Sequence, residues 1–190
     1  MADATSYRRI NGIELPPAGS YAFDAAHTTI GFVARHMLSK VHGRFTAYDG
    51  QVKIGEAVED SSVHVEIKAD SITTDNEGRD EHLRSSDFFE IETYPTLSFT
   101  STAFRPGQDK AFELDGDLSV RGVTRPVTLK GEFLGWGPGL RGGTIASFTA
   151  ATTIDREEFG LTWNMAVETG GWLVGKKIDI VIDADLVLED

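Results

Sequence analysis

From residue 20 onward the dominant hydrophobic period along the chain is two. It is clearest in "KIDIVIDADLVLE" near the end. There Ile178, Ile180, Ile182, Ala184, Leu186 and Leu188 alternate with Lys177, Asp179, Val181, Asp183, Asp185 and Val187. Successive strand side chains point to opposite faces, so the segment carries one oily and one wet face. Asp is a poor strand former, but the alternation outweighs that preference. The same pattern groups Val63, Val65, Ile67 and Ala69 in "SVHVEIKA". It groups Phe112, Leu114, Gly116, Leu118 and Val120 in "AFELDGDLSV", Val127, Leu129, Gly131 and Phe133 in "PVTLKGEF", and Phe148, Ala150, Thr152 and Ile154 in "SFTAATTI". With "TIGFVARHM", "VHGRFTAYDGQVKI" and "PTLSFTSTAF" the total is about eight strands.

The connections carry turn chemistry, as in "RPGQDK", "GWGPGLRGG" and "ETGGW". Short strands joined by such turns predict an all-β fold, an antiparallel sandwich or barrel. Closing one-sided strands on themselves removes exposed edges, and a barrel of about eight strands is filled by side chains or holds one small ligand. Small residues on the inner faces, Ala34, Gly43, Ala47, Gly116, Gly131 and Ala150, favour a cavity, although they also suit tight corners. Two stretches predict short helical turns: Asp80 to Leu83, and "DREEFG", where Asp155 is a cap with Glu158 at capping-box spacing. Residues 1–19 read as a flexible tail ended by Pro16, Pro17 and Gly19, which leaves one domain over 20–190.

One segment resists the pattern. "RDEHLRSSDFFEIETYPTLSF" sets charges, paired aromatics and Pro95 close together. Proline pushes Tyr94 toward an extended shape, a sound way to launch a strand. Read as an extended crossover, the segment sends Phe88 and Phe89 to opposite sides, so one of them helps close the barrel. Arg79 and Asp80, with His82, read as residues that pin the crossover or meet a headgroup at a channel mouth.

Composition narrows the function. A chain of 190 residues suits one domain and buries a real core without staples. There is no cysteine, which excludes disulfides, thiolate metal sites and thiol nucleophiles. The net charge of −12 argues against nucleic acid and against electrostatic docking on anionic membranes. No apolar run is long enough for a bilayer span, and the N-terminus lacks an export-signal pattern, so a soluble, cytoplasmic protein is expected.

Candidate chemistry is sparse. Five histidines, His27, His36, His42, His64 and His82, form no metal-ligand spacing, and no nucleophile elbow or phosphate-cradling loop is present. Asp80 and His82 lie two apart and diverge on a helical turn, so a relay between them is disfavoured. Arg35 and Arg121 read as surface residues. No catalytic residue, metal or cofactor is assigned. The hydrophobic constellation is the stronger candidate. By parity Ile30, Phe32, Ala34 and His36 point inward, joined by Phe45, Val65, Ile67, Phe99, Leu118, Phe148 and Ile180 from other strands. His36 would offer a donor in an oily wall. Packing alone and a ligand cavity are both compatible with this set.

The ordered blocks "DAAHTTIGFVARHM", "VHGRFTAYDG", "ADSITTDNEGRDEHLRSSDFFEIETYPTLSF", "GDLSVRGVTRPVTL" and "IDREEFGL" resemble the YceI-like family over about residues 21–189. The resemblance implies a lipocalin-like antiparallel barrel, a homodimer, and an apolar channel that binds, stores or transports a long-chain isoprenoid-like lipid, a polyprenyl or isoprenoid quinone type, without catalysis. Each buried CH₂ contributes about 0.8 kcal/mol, so a long chain is held well whatever its chemical identity. An enzyme acting on a lipid or quinone, and a solid-cored structural barrel linked to stress, are the alternatives.

Overall fold

Each long period-two segment is a strand, and each pairs antiparallel with its chain neighbour. The computed structural model describes residues 8–140, 142–168 and 170–189. In chain order its elements are β1 (Arg9–Ile10), β2 (Ile13–Glu14), β3 (Gly19–Phe23), β4 (Thr29–His36), β5 (Ser39–Phe45), β6 (Tyr48–Ile54), β7 (Ser62–Lys68) and β8 (Ile72–Thr73). Then come α1 (Glu77–Arg84), β9 (Thr96–Pro106), β10 (Ala111–Val120), β11 (Val123–Pro138), β12 (Thr144–Asp155) and β13 (Val174–Leu188).

Six of the short strands are halves of three long walls. Both β3 and β4 pair with β13, and they pair in turn with β6 and β5. Likewise β7 pairs with β6 and β8 with β5. Counting β3–β4, β5–β6 and β7–β8 as one wall each, eight walls meander up and down. The ring closes at β13, which meets β12 on one edge and β4 then β3 on the other. At the break between β3 and β4 the Thr28 hydroxyl bridges the ladder. It donates to Asp185 O and accepts from Asp185 N, both at 3.1 Å. The expected barrel of about eight strands is thus present and closed.

Turn chemistry sets the register. Arg121 and Gly122 join β10 to β11 with φ of 49° and 71°, the paired positive values that match the twist of a two-residue hairpin. A helix makes the passage from β8 to β9. Here α1 runs the full Glu77–Arg84, longer than the turn expected from sequence, with the Asn76 side chain accepting from Arg79 N at 3.0 Å. "DREEFG" forms a single 3₁₀ turn, Arg156–Phe159. Asp155 is its cap and accepts from Glu157 N, while Gly160 ends it at φ 77°.

Of the stretch read as a flexible tail, residues 1–7 lie outside the described residues. From Arg8 the chain is a small β1–β2 hairpin. Asn11 and Gly12 form its turn with φ of 50° and 82°. Arg8 fastens it to the barrel through Gly55 O and Glu56 O at 2.6 and 2.7 Å.

Candidate functional site

The inward faces of the eight walls enclose an apolar cavity of about 340 Å³, within the range of ligand sites. Of the residues expected to face inward, Ile30, Phe32 and Ala34 of β4, Phe45 of β5, and Val65 and Ile67 of β7 line it. So do Phe99 of β9, Leu118 of β10, Phe148 of β12 and Ile180 of β13. His36 does not. It ends β4, where the pairing with β13 is shifted between Val174 and Ile178, and that irregularity breaks the parity argument for its side chain.

The inner glycines do something other than leave room. Phe32 faces Gly43 across β4 and β5, and Phe112 faces Gly131 across β10 and β11. A Cβ on Gly43 would lie 2.2 Å from the Phe32 ring, one on Gly131 2.2 Å from the Phe112 ring, and one on Gly116 2.4 Å from the Phe99 ring. Each ring therefore lies flat on the wall, over a position with no side chain. This covers the glycine backbone and keeps the aromatic bulk out of the lumen. The space at the glycines is occupied, and the open volume lies beyond the rings.

One end of the lumen is closed by the crossover. Both Phe88 and Phe89 line the cavity. The segment coils instead of extending: Phe88 N donates to Ser85 O, Phe89 N to Leu83 O and Tyr94 N to Glu90 O. In coiled backbone adjacent side chains need not oppose each other, so both rings turn to the same cavity. Phe89 meets Phe45 edge-on at 5.9 Å, and Phe88 meets Trp163 at 5.4 Å.

Arg79, Asp80 and His82 lie outside the cavity lining. Arg79 Nε donates to Thr74 Oγ1 at 2.7 Å and its Nη2 to Thr74 O at 3.0 Å. Asp80 is buried and accepts from Thr74 N, Thr74 Oγ1 and Thr73 Oγ1. Burial pushes the Asp80 carboxyl up, but these hydrogen bonds and the Arg84 charge outweigh it and hold its pKa below the ordinary value. His82 pairs with Asp87 at 2.8 Å, not with Asp80, and its ring packs on Trp163 and Phe88. Arg121, read from sequence as a surface residue, is a fastener. It donates to Ser86 O, Gly160 O and Glu90 Oε2. Arg84 adds Asp70 O and Ile72 O. Among the described residues no three His, Asp or Glu side chains converge to hold a metal ion.

Two parts of the lining escaped the sequence reading. Ile10, Ile13 and Leu15 of the N-terminal hairpin line the cavity beside Gly107 and Lys110, at the opposite end of β9 from the crossover. The signal was "RINGIE", an Asn-Gly pair between alternating apolar residues, which marks a hairpin. The other is Arg156, only 3% exposed, which also lines the cavity. Its Nε donates to Gly175 O at 3.0 Å, and its Nη1 to Leu161 O and Trp163 O. No hydropathy pattern marks a buried arginine.

A closed antiparallel barrel around an apolar lumen is a lipocalin-like architecture, the class whose interior is wide enough for one small hydrophobic molecule. Within that class the chain belongs to the YceI-like family, whose domain model matches residues 21–186. A UPF0312 protein of Pseudomonas putida is 35% identical over 148 residues, 76% of this chain and 77% of the relative. One from Shewanella denitrificans is 34% identical over 170 residues, 87% of each chain. Among solved structures, Burkholderia cenocepacia BcnA superposes with a TM-score of 0.74 at 22% identity, over 86% of this chain and 98% of that one. A polyisoprenoid binding domain from Saccharophagus degradans gives 0.64 at 12% identity, over 91% and 100%.

Proposed function

We propose that this protein binds a long-chain isoprenoid-like lipid in the barrel interior and stores or transports it unchanged. The observation that carries the reading is the predominantly apolar lining, from Ile10 and Ile13 at one end to Phe88 and Phe89 at the other. A lumen of about 340 Å³ favours a ligand over a solid-cored structural barrel. The polyisoprenoid-binding description of the Saccharophagus degradans neighbour supports the chemical class. The positions of Asp80 and His82 favour carriage over catalysis, because Asp80 is occupied by Thr73 and Thr74 and His82 faces Asp87.

Organic extraction of purified protein, with native mass spectrometry before and after, tests the reading. A prenyl-type mass released by extraction and regained on adding prenyl chains is expected. A barrel that carries no lipid and refuses prenyl chains would overturn it, and conversion of the extracted lipid on incubation would favour an enzyme. The proposal extends to a homodimer, through the family likeness, and separately to a cytoplasmic location; light scattering checks the first and cell fractionation the second.

A further inference from the structure

The β4–β5 hairpin is a basic stretch in an acidic chain. From Ala25 to Tyr48 there is no Asp or Glu, although the whole protein has 30. Phe32 and Ala34 line the lumen, so strand alternation turns Arg35 outward. Lys40 stands opposite Arg35 in the register, and His42 and Arg44 continue the same outer face. Arg44 pairs with Asp75 at 3.0 Å. Arg35 and Lys40 are exposed and make no ion pair among the described residues. Nearby, at the start of β13, Lys176 pairs with Glu157 at 2.7 Å and Lys177 faces Asp155 at 3.6 Å. The tip of this hairpin is apolar and exposed. Met37 N donates to Leu173 O at 2.8 Å, Leu173 N donates to Met165 O at 2.9 Å, and Ala166 bridges to Trp172. These bonds gather Met37, Leu38, Met165 and Trp172 at one rim, exposed by 46, 103, 56 and 62%. Seven large hydrophobic side chains are exposed among the described residues, so more than half of them meet here. The rim adjoins the lumen, since Val174 lines the cavity, follows Leu173 and pairs with His36.

A cluster of exposed apolar side chains marks a place where something docks, and tryptophan is favoured where lipid meets water. Apolar tips flanked by unpaired cations match an anionic bilayer: the tips enter the headgroup layer and the cations meet its negative charge. The net charge of −12 does not prevent this. Salt screens charges beyond about 8 Å, so a surface in contact feels the rim and not the far side of the barrel. Glu168 is the acidic side chain on the loop with Met165 and Trp172, against Arg35 and Lys40 on the hairpin. A two-fold contact between copies fits less well, because it sets the patch against itself and brings like charges together. We infer that this rim docks on an anionic lipid surface. The inference stands on this face alone, goes beyond the lipid-carriage reading and fails separately from it.

Co-sedimentation of the full chain with extruded vesicles tests this. Wild type should sediment with vesicles rich in phosphatidylglycerol, stay in solution with pure phosphatidylcholine, and come off the former in about 1 M salt. Arg35→Gln with Lys40→Gln should weaken the association roughly tenfold or more, because each cation near such a surface contributes about fivefold. Lys53→Gln with Lys130→Gln, the same change of charge on β6 and β11, should leave it unchanged. Tryptophan emission should shift to the blue on binding, and Trp172→Phe should remove that shift while keeping the association. Leu38→Ser should weaken the association with Tm unchanged, because the side chain is fully exposed. No association with either vesicle, equal association with both, an unshifted emission, or equal weakening by the two double variants overturns the inference. So does a vesicle-independent dimer that Leu38→Ser disperses, which would assign the rim to a second copy of the chain.

Discussion

Gly43→Ala is the most direct test of how the lumen is kept open. The added Cβ would meet three atoms of the Phe32 ring at 2.2, 2.6 and 2.9 Å, where ordinary contact begins at 3.4 Å. The ring must retreat by more than 1 Å, since the three atoms nearest the new methyl all belong to it. Since Phe45 already stands 6.0 Å away on the same lining, the ring's way out is into the lumen. Overpacking of this kind costs about 1–3 kcal/mol. For a domain of this size that is a fall in Tm of roughly 2–12 °C. Lipid retention should fall as well, because the displaced ring takes ligand volume. Thermal melts with and without bound lipid measure both effects. Phe32→Leu on the Gly43→Ala background should recover part of the loss, so the double-mutant cycle should show favourable coupling. Gly137→Ala, whose Cβ would meet nothing within 4 Å, should stay within about 0.5 kcal/mol of wild type. A Gly43→Ala protein that melts and retains lipid like wild type, or strict additivity with Phe32→Leu, would refute the reasoning.

The crossover offers a second comparison. Phe88→Ala and Phe89→Ala should both speed lipid loss, and the more deeply buried Phe88 should cost more stability, about 3–5 kcal/mol, in dissociation kinetics and chemical denaturation. Asp80 gives a pH dependence. Its folded pKa is depressed, so its contribution is present above the unfolded value of about 3.9 and is lost as pH falls through the lower folded value. Asp80→Asn should therefore destabilise at pH 7 and flatten the acid limb of the stability curve; an unchanged acid limb would count against it. Ile13→Ser, at the hairpin end of the lining, should raise the lipid off-rate with little change in Tm.

Legibility followed the period of the chain. Where the strands are regular, parity alone placed Val65, Phe99, Leu118, Phe148 and Ile180 on one lining. Parity failed where the backbone departs from a plain ladder. His36 lies at the shifted pairing of β4 with β13, and Phe88 and Phe89 lie in coiled turns. Gly43, Gly116 and Gly131 were placed on the correct face but read as space, because hydropathy does not tell which ring lies across a glycine. Arg156 was invisible for a different reason: three carbonyls from Leu161, Trp163 and Gly175 make its burial tolerable, and carbonyls leave no trace in side-chain patterns. The tail reading overlooked Asn11–Gly12, whose turn signal outweighs the two prolines that follow.

The closure at β13 sets an order of events during synthesis. The ribosome delivers the walls in sequence, and each can pair with its predecessor as it appears. The ring, however, stays a half-rolled sheet until residues 174–188 arrive to join β12 to β3 and β4. Until then two strand edges are bare at once, each a template for pairing with another chain. This join spans nearly the whole length of the protein, from Leu188 to Tyr21, which slows its formation relative to the hairpins. A chain that stalls late in translation is consequently the most hazardous form of the molecule. Removing its last strand of 15 residues would not shorten the barrel but unroll it.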